Sequence, residues 1–242
     1  QLLFQTYGSA NVRNPGIILK QSLVSLALFG YGNQAVTANT EYKELFEDFQ
    51  EILRDVLPGS LGFKRLEIRM PDVILITETG DFSIDAMSGG VNDLLGMAWQ
   101  IHMFGANKDS CTVIIDEPEN HLHPSLQRAI LPTFAKAFGY CKFIVATHSP
   151  FIVSSMPSAS VFGLVYNQNS KVESMSIQEA DLSGTPNTIL REILDVPSNL
   201  PIWVEDKIKT ILVSYAKLKG EEKIRKILAE LDQLGLSDKI SE

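Results

Sequence analysis

The run Thr112-Val113-Ile114-Ile115-Asp116-Glu117 is an apolar, β-rich segment that ends on two adjacent carboxylates. A buried strand of a parallel sheet delivers the residues at its C-terminal end to the edge where ligands of open α/β sheets bind. There an aspartate can hold Mg²⁺, and a neighbouring carboxylate can orient or activate water for attack on a phosphate. The same residues also suit a plain strand running into an acidic turn. A second run, Lys142 to Thr147, sets His148 just past its end, with Ser149-Pro150 after it, so an imidazole falls on the same sheet edge. It is either a ligand-facing group or part of a fixed, capped turn. The third signal is Ser88-Gly89-Gly90 directly before a long helical stretch. Small residues let phosphate oxygens approach backbone amides, and the helix dipole favours negative charge there. Alone, the tripeptide also reads as a loop. Order and spacing join the three: Asp116 lies 28 residues after Ser88, room for a buried helix and a connection, and His148 lies 32 after Asp116, room for one helical crossover.

The elements that must position these residues follow from periodicity. PGIILKQSLVSLALFGYG reads as an apolar helix and EYKELFEDFQEILRDVL as an amphipathic one ended by Pro58-Gly59. FKRLEIRM, DVILITE and DFSID read as short strands, the last two joined by a tight turn at Thr79-Gly80, and predict a small antiparallel sheet. VNDLLGMAWQIHMF is apolar all round and predicts a helix buried on most faces. TVIID and KFIVAT, separated by the helical PSLQRAILPTFAKAFG, predict a parallel pair covered on both faces. SVFGLVY and KVESMSI predict an edge hairpin, and the chain from about Asn187 onward reads as helical and increasingly charged.

Composition bounds what such a protein is. Its 242 residues (26.8 kDa) are ample for a core, and 45% hydrophobic with 21% charged residues and a mean hydropathy of +0.06 describe an ordinary globular chain. No apolar run reaches the roughly 18 to 20 residues of a membrane span. QLLFQTYGSA has no basic segment leading into an apolar one, so the expectation is no secretory signal, no membrane and cytoplasmic residence. Cys111 and Cys141 stand just before the two parallel runs and are expected to be neighbouring, reduced thiols. His102, His121, His123 and His148 make no pair at zinc spacing. A net charge of −8 argues against a surface coated for nucleic acid, although local basic patches remain open.

Taken together, SGG before a helix, TVIIDEPENHLHPS and FIVATHSP resemble the signature motif, the Walker B strand with its D-loop, and the H-loop of ABC-type ATPases. The DEPENHLHP wording resembles the soluble RecF-, SMC- and OLD-like branch of bacterial DNA-repair and phage-defence ATPases. The resemblance covers about residues 60 to 165 closely and the tail loosely, and implies an α/β fold: an ABC-type core with a mainly parallel sheet flanked by helices, a small antiparallel sheet and a helical C-terminal tail. Its domain division would be 1–185 for the ATPase part, with a helical arm at about 16–58 and the motifs at 82–150, and 186–242 for the tail. It implies ATP and Mg²⁺ as cofactors. Asp116 would hold the metal, Glu117 would polarise the attacking water, and His148 would contact the γ-phosphate. Ser88, Gly89 and Gly90 would serve the ATP of a second subunit, with Asn120 to His123 at the dimer seam. Gln5 is a candidate for the Q-loop glutamine.

The sequence departs from the family's pattern in one respect: no GxxxxGK[ST] stands in it, and Gly8-Ser9-Ala10-Asn11 lacks both the lysine and the spacing. The family's P-loop precedes all these motifs, so the expectation is that it lies in residues preceding this sequence, with a split ATPase or a degenerate subunit as the alternatives. The implied function is an ATP-hydrolysing subunit whose nucleotide-dependent dimerisation controls a DNA-repair or anti-phage effector such as a nuclease, with nucleic acid as a further partner. One alternative is the ATPase part of an OLD-like ATPase-nuclease, in which LPIWVED would be a Toprim strand ending at Glu205. In the other reading of that segment Pro201 opens a helix containing Glu205. The other alternative is a structural subunit that has lost hydrolysis.

Overall fold

The computed structural model describes residues 15–177, 185–192, 201–215 and 221–233. Gln5 and the Gly8 to Asn11 stretch lie outside them. The chain divides into two compact units, Gln1–Ile189 and Leu190–Glu242.

In the first unit, helix α1 (Pro15–Tyr31) and helix α2 (Thr40–Val56) form as their patterns predict. The Asn39 side chain accepts from the Tyr42 N–H to cap α2, a choice that satisfies one of the free amides of a helix start. On α2, Phe46, Phe49, Gln50, Leu53 and Val56 are buried at the three- and four-residue spacing of a single helix face. That face meets a hairpin sheet of β1 (Phe63–Arg69), β2 (Asp72–Thr77) and β3 (Asp81–Ser83), all antiparallel. Gly80, at φ 138°, makes the turn between β2 and β3 in a backbone region that a side chain would oppose. Gln50 accepts the Leu66 N–H at 2.8 Å, so α2 occupies part of the open edge of β1.

Helix α3 (Gly89–Gly105) runs through the middle of this packing, with Leu94, Leu95, Ala98, Trp99, Ile101 and His102 all buried. Phe49 meets Trp99 edge-on at 4.9 Å between ring centroids and stacks on His102 at 5.6 Å. Truncating a ring as buried as Phe49 costs about 3–5 kcal/mol, because a cavity remains where the ring was.

Strands β4 (Cys111–Asp116) and β5 (Cys141–Ala146) pair in parallel, in register from Cys111 opposite Cys141 to Asp116 opposite Ala146. Helix α4 (Pro124–Ala137) makes the crossover between them. The expectation that both faces would be covered fails for the described residues. Val113, Phe143 and Val145 pack on the core, while Ile114 is 76% and Ile144 57% exposed, because successive side chains of a strand point to opposite faces and the helices cover one. The cysteines also differ from expectation: register sets their Cα atoms 4.7 Å apart and they form a disulfide. After the short helix α5 (Pro150–Val153), β6 (Val161–Tyr166) and β7 (Val172–Ile177) form the expected antiparallel hairpin.

Helix α6 covers Pro186–Glu192. In the second unit, α7 (Ile202–Ser214) and α8 (Glu221–Gln233) pack through Val204, Ile211 and Leu231. Pro201 stands at the start of α7 and Glu205 in its first turn, so of the two readings of LPIWVED the helix is the one formed.

Candidate functional site

The C-terminal ends of β4 and β5 bring Asp116, Glu117 and His148 together, 32 residues apart in sequence between the first and the last. Asp116 is exposed at the last position of β4. Glu117 continues the ladder one step, donating its N–H to the Ala146 carbonyl at 2.9 Å, while its own carbonyl accepts from the Asn120 N–H at 3.1 Å. Pinned on both sides, it takes a left-handed backbone (φ 50°), a conformation that non-glycine residues rarely adopt. The His148 Nε2 lies 3.4 Å from the Glu117 Oε1, with side chains 86% and 35% exposed respectively, so both reach toward solvent rather than into the core. This separation is longer than a tight charge-assisted hydrogen bond, and such catalytic contacts often shorten only when substrate is bound.

The backbone around these groups is held by side chains. Ser149 caps α5, its hydroxyl accepting from the Phe151 and Ile152 N–H groups with Pro150 at the first helical position. The Ser149 hydroxyl donates to Gln127 Oε1 at 2.6 Å, and Gln127 Nε2 donates to the Leu122 carbonyl at 2.9 Å. Thr147 and the His148 amide both donate to Glu119. Of the stretch expected at a dimer seam, Asn120, His121 and His123 are exposed, but Leu122 is buried in the chain's own core, and the His123 ring accepts the Ser125 N–H to cap α4. The Ser149-Pro150 cap was readable as a sequence signal. Thr147 belongs to the same fixed turn, its hydroxyl accepting the Ser149 N–H at 3.0 Å, whereas Glu119 and Gln127 gave no signal, since the groups they bond across to lie on a different loop or helix.

Ser88 and Gly89 are exposed at the start of α3, where the Ser88 side chain makes no capping bond to the helix amides. Gly90 is buried, and a Cβ there would lie 2.7 Å from the His121 carbonyl oxygen. The second glycine is thus explained by close approach to the turn after β4. A Cβ at Gly89 would meet nothing nearer than the His121 Cβ at 4.0 Å.

The described residues contain no group of three or more histidines, cysteines or carboxylates able to cage a metal. That donor set still fits Mg²⁺, which is commonly held by one or two protein carboxylates together with substrate phosphates and water; an exposed Asp116 at a strand end meets that need.

Residues 42–154 match the family described as "AAA domain, putative AbiEii toxin, Type IV TA system". The matched stretch contains Ser88-Gly89-Gly90, Asp116-Glu117 and His148, the residues on which the resemblance to ABC-type ATPases rests. Among curated proteins the chain is similar to the Retron Ec83 probable ATPase of Escherichia coli, 28% identical over 71% of this chain and 33% of that protein. It is also similar to the Retron Vc95 probable ATPase of Vibrio cholerae serotype O1 biovar El Tor, 26% identical over 47% of this chain and 22% of that protein. The matched part therefore spans a third or less of either relative's own length. Among solved structures, one described as "Structural biochemistry of ATP-driven dimerization and DNA stimulated activation of SMC ATPases" matches 78% of this chain and 100% of its own, at 13% identity and a TM-score of 0.48. The SMC head domain from Thermotoga maritima matches 64% of this chain and 52% of its own, at 16% identity and a TM-score of 0.45. No helix among the described residues is long and apolar enough to cross a membrane.

Proposed function

We propose that the protein carrying this chain binds cytoplasmic ATP with Mg²⁺ and hydrolyses it, and that nucleotide-dependent pairing of two copies controls a defence effector such as a nuclease. The observation that carries this reading is the meeting of Glu117 and His148 at the ends of two parallel strands, with the Glu117 backbone at positive φ and hydrogen-bonded through both its N–H and its carbonyl. Asp116 would hold Mg²⁺, which when bound neutralises charge developing on the phosphates. Glu117 accepts a hydrogen bond from the attacking water and orients it, and can take its proton as the new bond forms. His148 would donate toward the transferred phosphoryl oxygens. Ser88 and the backbone of Gly89 and Gly90 act on the ATP of the second copy, adding hydroxyl, amide and helix-dipole stabilisation where charge accumulates.

The similarity to two retron ATPases supports a role in defence over one in DNA repair. The ATPase part extends to about residue 185, and the helical remainder, with Ile202, Trp203 and Val213 exposed on α7, serves a neighbouring subunit or effector.

The decisive test is Glu117→Gln in the intact protein. ATP binding, measured by equilibrium titration with Mg²⁺ present, should stay within about threefold of wild type, while turnover falls by about 10²- to 10⁴-fold, the range for removing a positioned base. Equal loss of nucleotide binding would move the metal role to Glu117 and sink this assignment.

A further inference from the structure

Glu119 carries hydrogen bonds that no motif assigns to it. Its carboxylate crosses from the turn after β4 to the turn after β5. Both of its oxygens lie 2.8 Å from the Thr147 hydroxyl, and Oε1 also accepts the His148 N–H at 2.8 Å. Both partners are donors, and an ionised carboxylate is the side chain that only accepts, so the pairing is chemically matched. The contacts continue around a closed circuit. The Thr147 hydroxyl accepts the Ser149 N–H at 3.0 Å, the Ser149 hydroxyl donates to Gln127 at 2.6 Å, Gln127 donates to the Leu122 carbonyl at 2.9 Å, and the Leu122 N–H returns to the Glu119 carbonyl at 2.9 Å. Every bond of this ring falls on main chain or on side chains other than the imidazole of His148. That imidazole remains 86% exposed, 3.4 Å from Glu117.

We propose that Glu119 is a positioning residue for hydrolysis: it fixes the main chain of His148 so that the imidazole stands against Glu117 and the nucleotide, while touching neither the nucleotide nor the water itself. This rests on the ATPase reading above. Two carboxylates two residues apart then have separate work. Glu117 faces the reaction, and Glu119 ties the loop that carries its partner. Misplacing a reacting group by about 1 Å can cost 10²-fold in rate, so a tether of this kind acts on turnover rather than on affinity.

The test uses the intact protein and three variants. Glu119→Ala should lower kcat for ATP by about 10- to 100-fold with ATP affinity within about threefold of wild type. Glu119→Gln keeps an oxygen for the His148 N–H and offers an amide to the Thr147 oxygen, so it should recover most of the lost kcat. Thr147→Val removes the hydroxyl at constant shape and leaves the bond to the His148 N–H, so its loss should be smaller than that of Glu119→Ala. A second readout needs no hydrolysis. Hydrogen exchange at the His148 amide in the nucleotide-free protein should quicken in Glu119→Ala and stay unchanged in Glu117→Gln. The proposal is overturned if Glu119→Ala turns over at the wild-type rate, if it loses ATP binding in step with kcat, if Glu119→Gln is as impaired as Glu119→Ala, or if the His148 amide stays equally protected. If the wild-type protein itself hydrolysed no ATP, the functional reading would fail, and the exchange rates would still decide whether the tether exists.

Discussion

The turns after β4 and β5 and the start of α3 carry the two halves of the candidate site, and they are built in opposite ways. In the turns, Glu119, Thr147, Gln127 and Ser149 spend their side chains on one another and on the backbone, and Glu117 is held at positive φ by bonds to Ala146 and Asn120. At the start of α3, the Ser88 side chain caps none of the helix amides and Gly89 is exposed. A hydrogen-bonded ring fixes groups that must meet a reacting atom at a set distance, whereas uncapped amides at a helix start are donors awaiting an anion. The halves meet where Gly90 allows α3 to lie against the His121 carbonyl.

The sharpest way to break this contrast is to test whether the open half serves another copy. Ser88→Arg puts a long side chain at that open start and leaves the turns untouched. ATP binding should persist, while nucleotide-dependent pairing, followed by light scattering, is lost and hydrolysis falls by about 10²- to 10³-fold, as for loss of a charge-stabilising donor. Mixing Ser88→Arg with Glu117→Gln subunits should return part of the activity, since one site then has both a normal Ser88 and a normal Glu117. A mixture that forms mixed pairs yet stays inactive would mean that Ser88 acts within its own copy or that both sites must fire together.

A smaller effect separates the two glycines. Gly90→Ala drives a Cβ to 2.7 Å from the His121 oxygen, and relieving that overlap should cost about 1–3 kcal/mol in denaturant unfolding. Gly89→Ala meets only the His121 Cβ at 4.0 Å, an ordinary contact, and should be neutral or slightly stabilising in the same measurement. Equal costs at the two positions would remove the contact between α3 and the turn as the reason for Gly90.

The smallest effect concerns the core that holds both halves. Burial pushes the His102 pKa below its usual value of 6.5, partly offset by the hydrogen bond to the Leu45 carbonyl and by the Asp48 charge. The unfolded chain therefore binds a proton that the folded one resists, so stability is fully present above about pH 6.5 and is lost as the pH falls below it. The melting temperature should drop on acidification from pH 7.5 to 5.5, with a slope from this group no steeper than about 1.4 kcal/mol per pH unit. His102→Gln, which can still donate to Leu45, should flatten that slope. An unchanged slope would assign it to other groups.

Much of this was legible from local pattern. The β-rich runs TVIID and KFIVAT with a helix between them imply a parallel pair, and a parallel pair sets whatever follows both strands on one edge, so the meeting of Asp116, Glu117 and His148 follows from sequence order alone. The α2 stripe and the capped turn at Ser149-Pro150 were equally local. Local pattern also misled where burial depends on what lies across a face. The alternation of β4 and β5 could not say that only one side would be covered, leaving Ile114 and Ile144 bare, and redox context argued for free thiols where register placed Cys111 beside Cys141.

What the sequence by itself determined is therefore the order of the elements and the edge on which the carboxylates and imidazole gather, because periodicity and chain direction are properties of neighbouring residues. Tertiary structure alone decided which of the two nearby glutamates faces His148 and which holds it, and why Gly90 has no side chain. Glu119 finds Thr147 28 residues away, and Gly90 finds His121 in a different loop, contacts that exist only once β4, β5 and α3 have packed and whose energy depends on distances of a few ångströms.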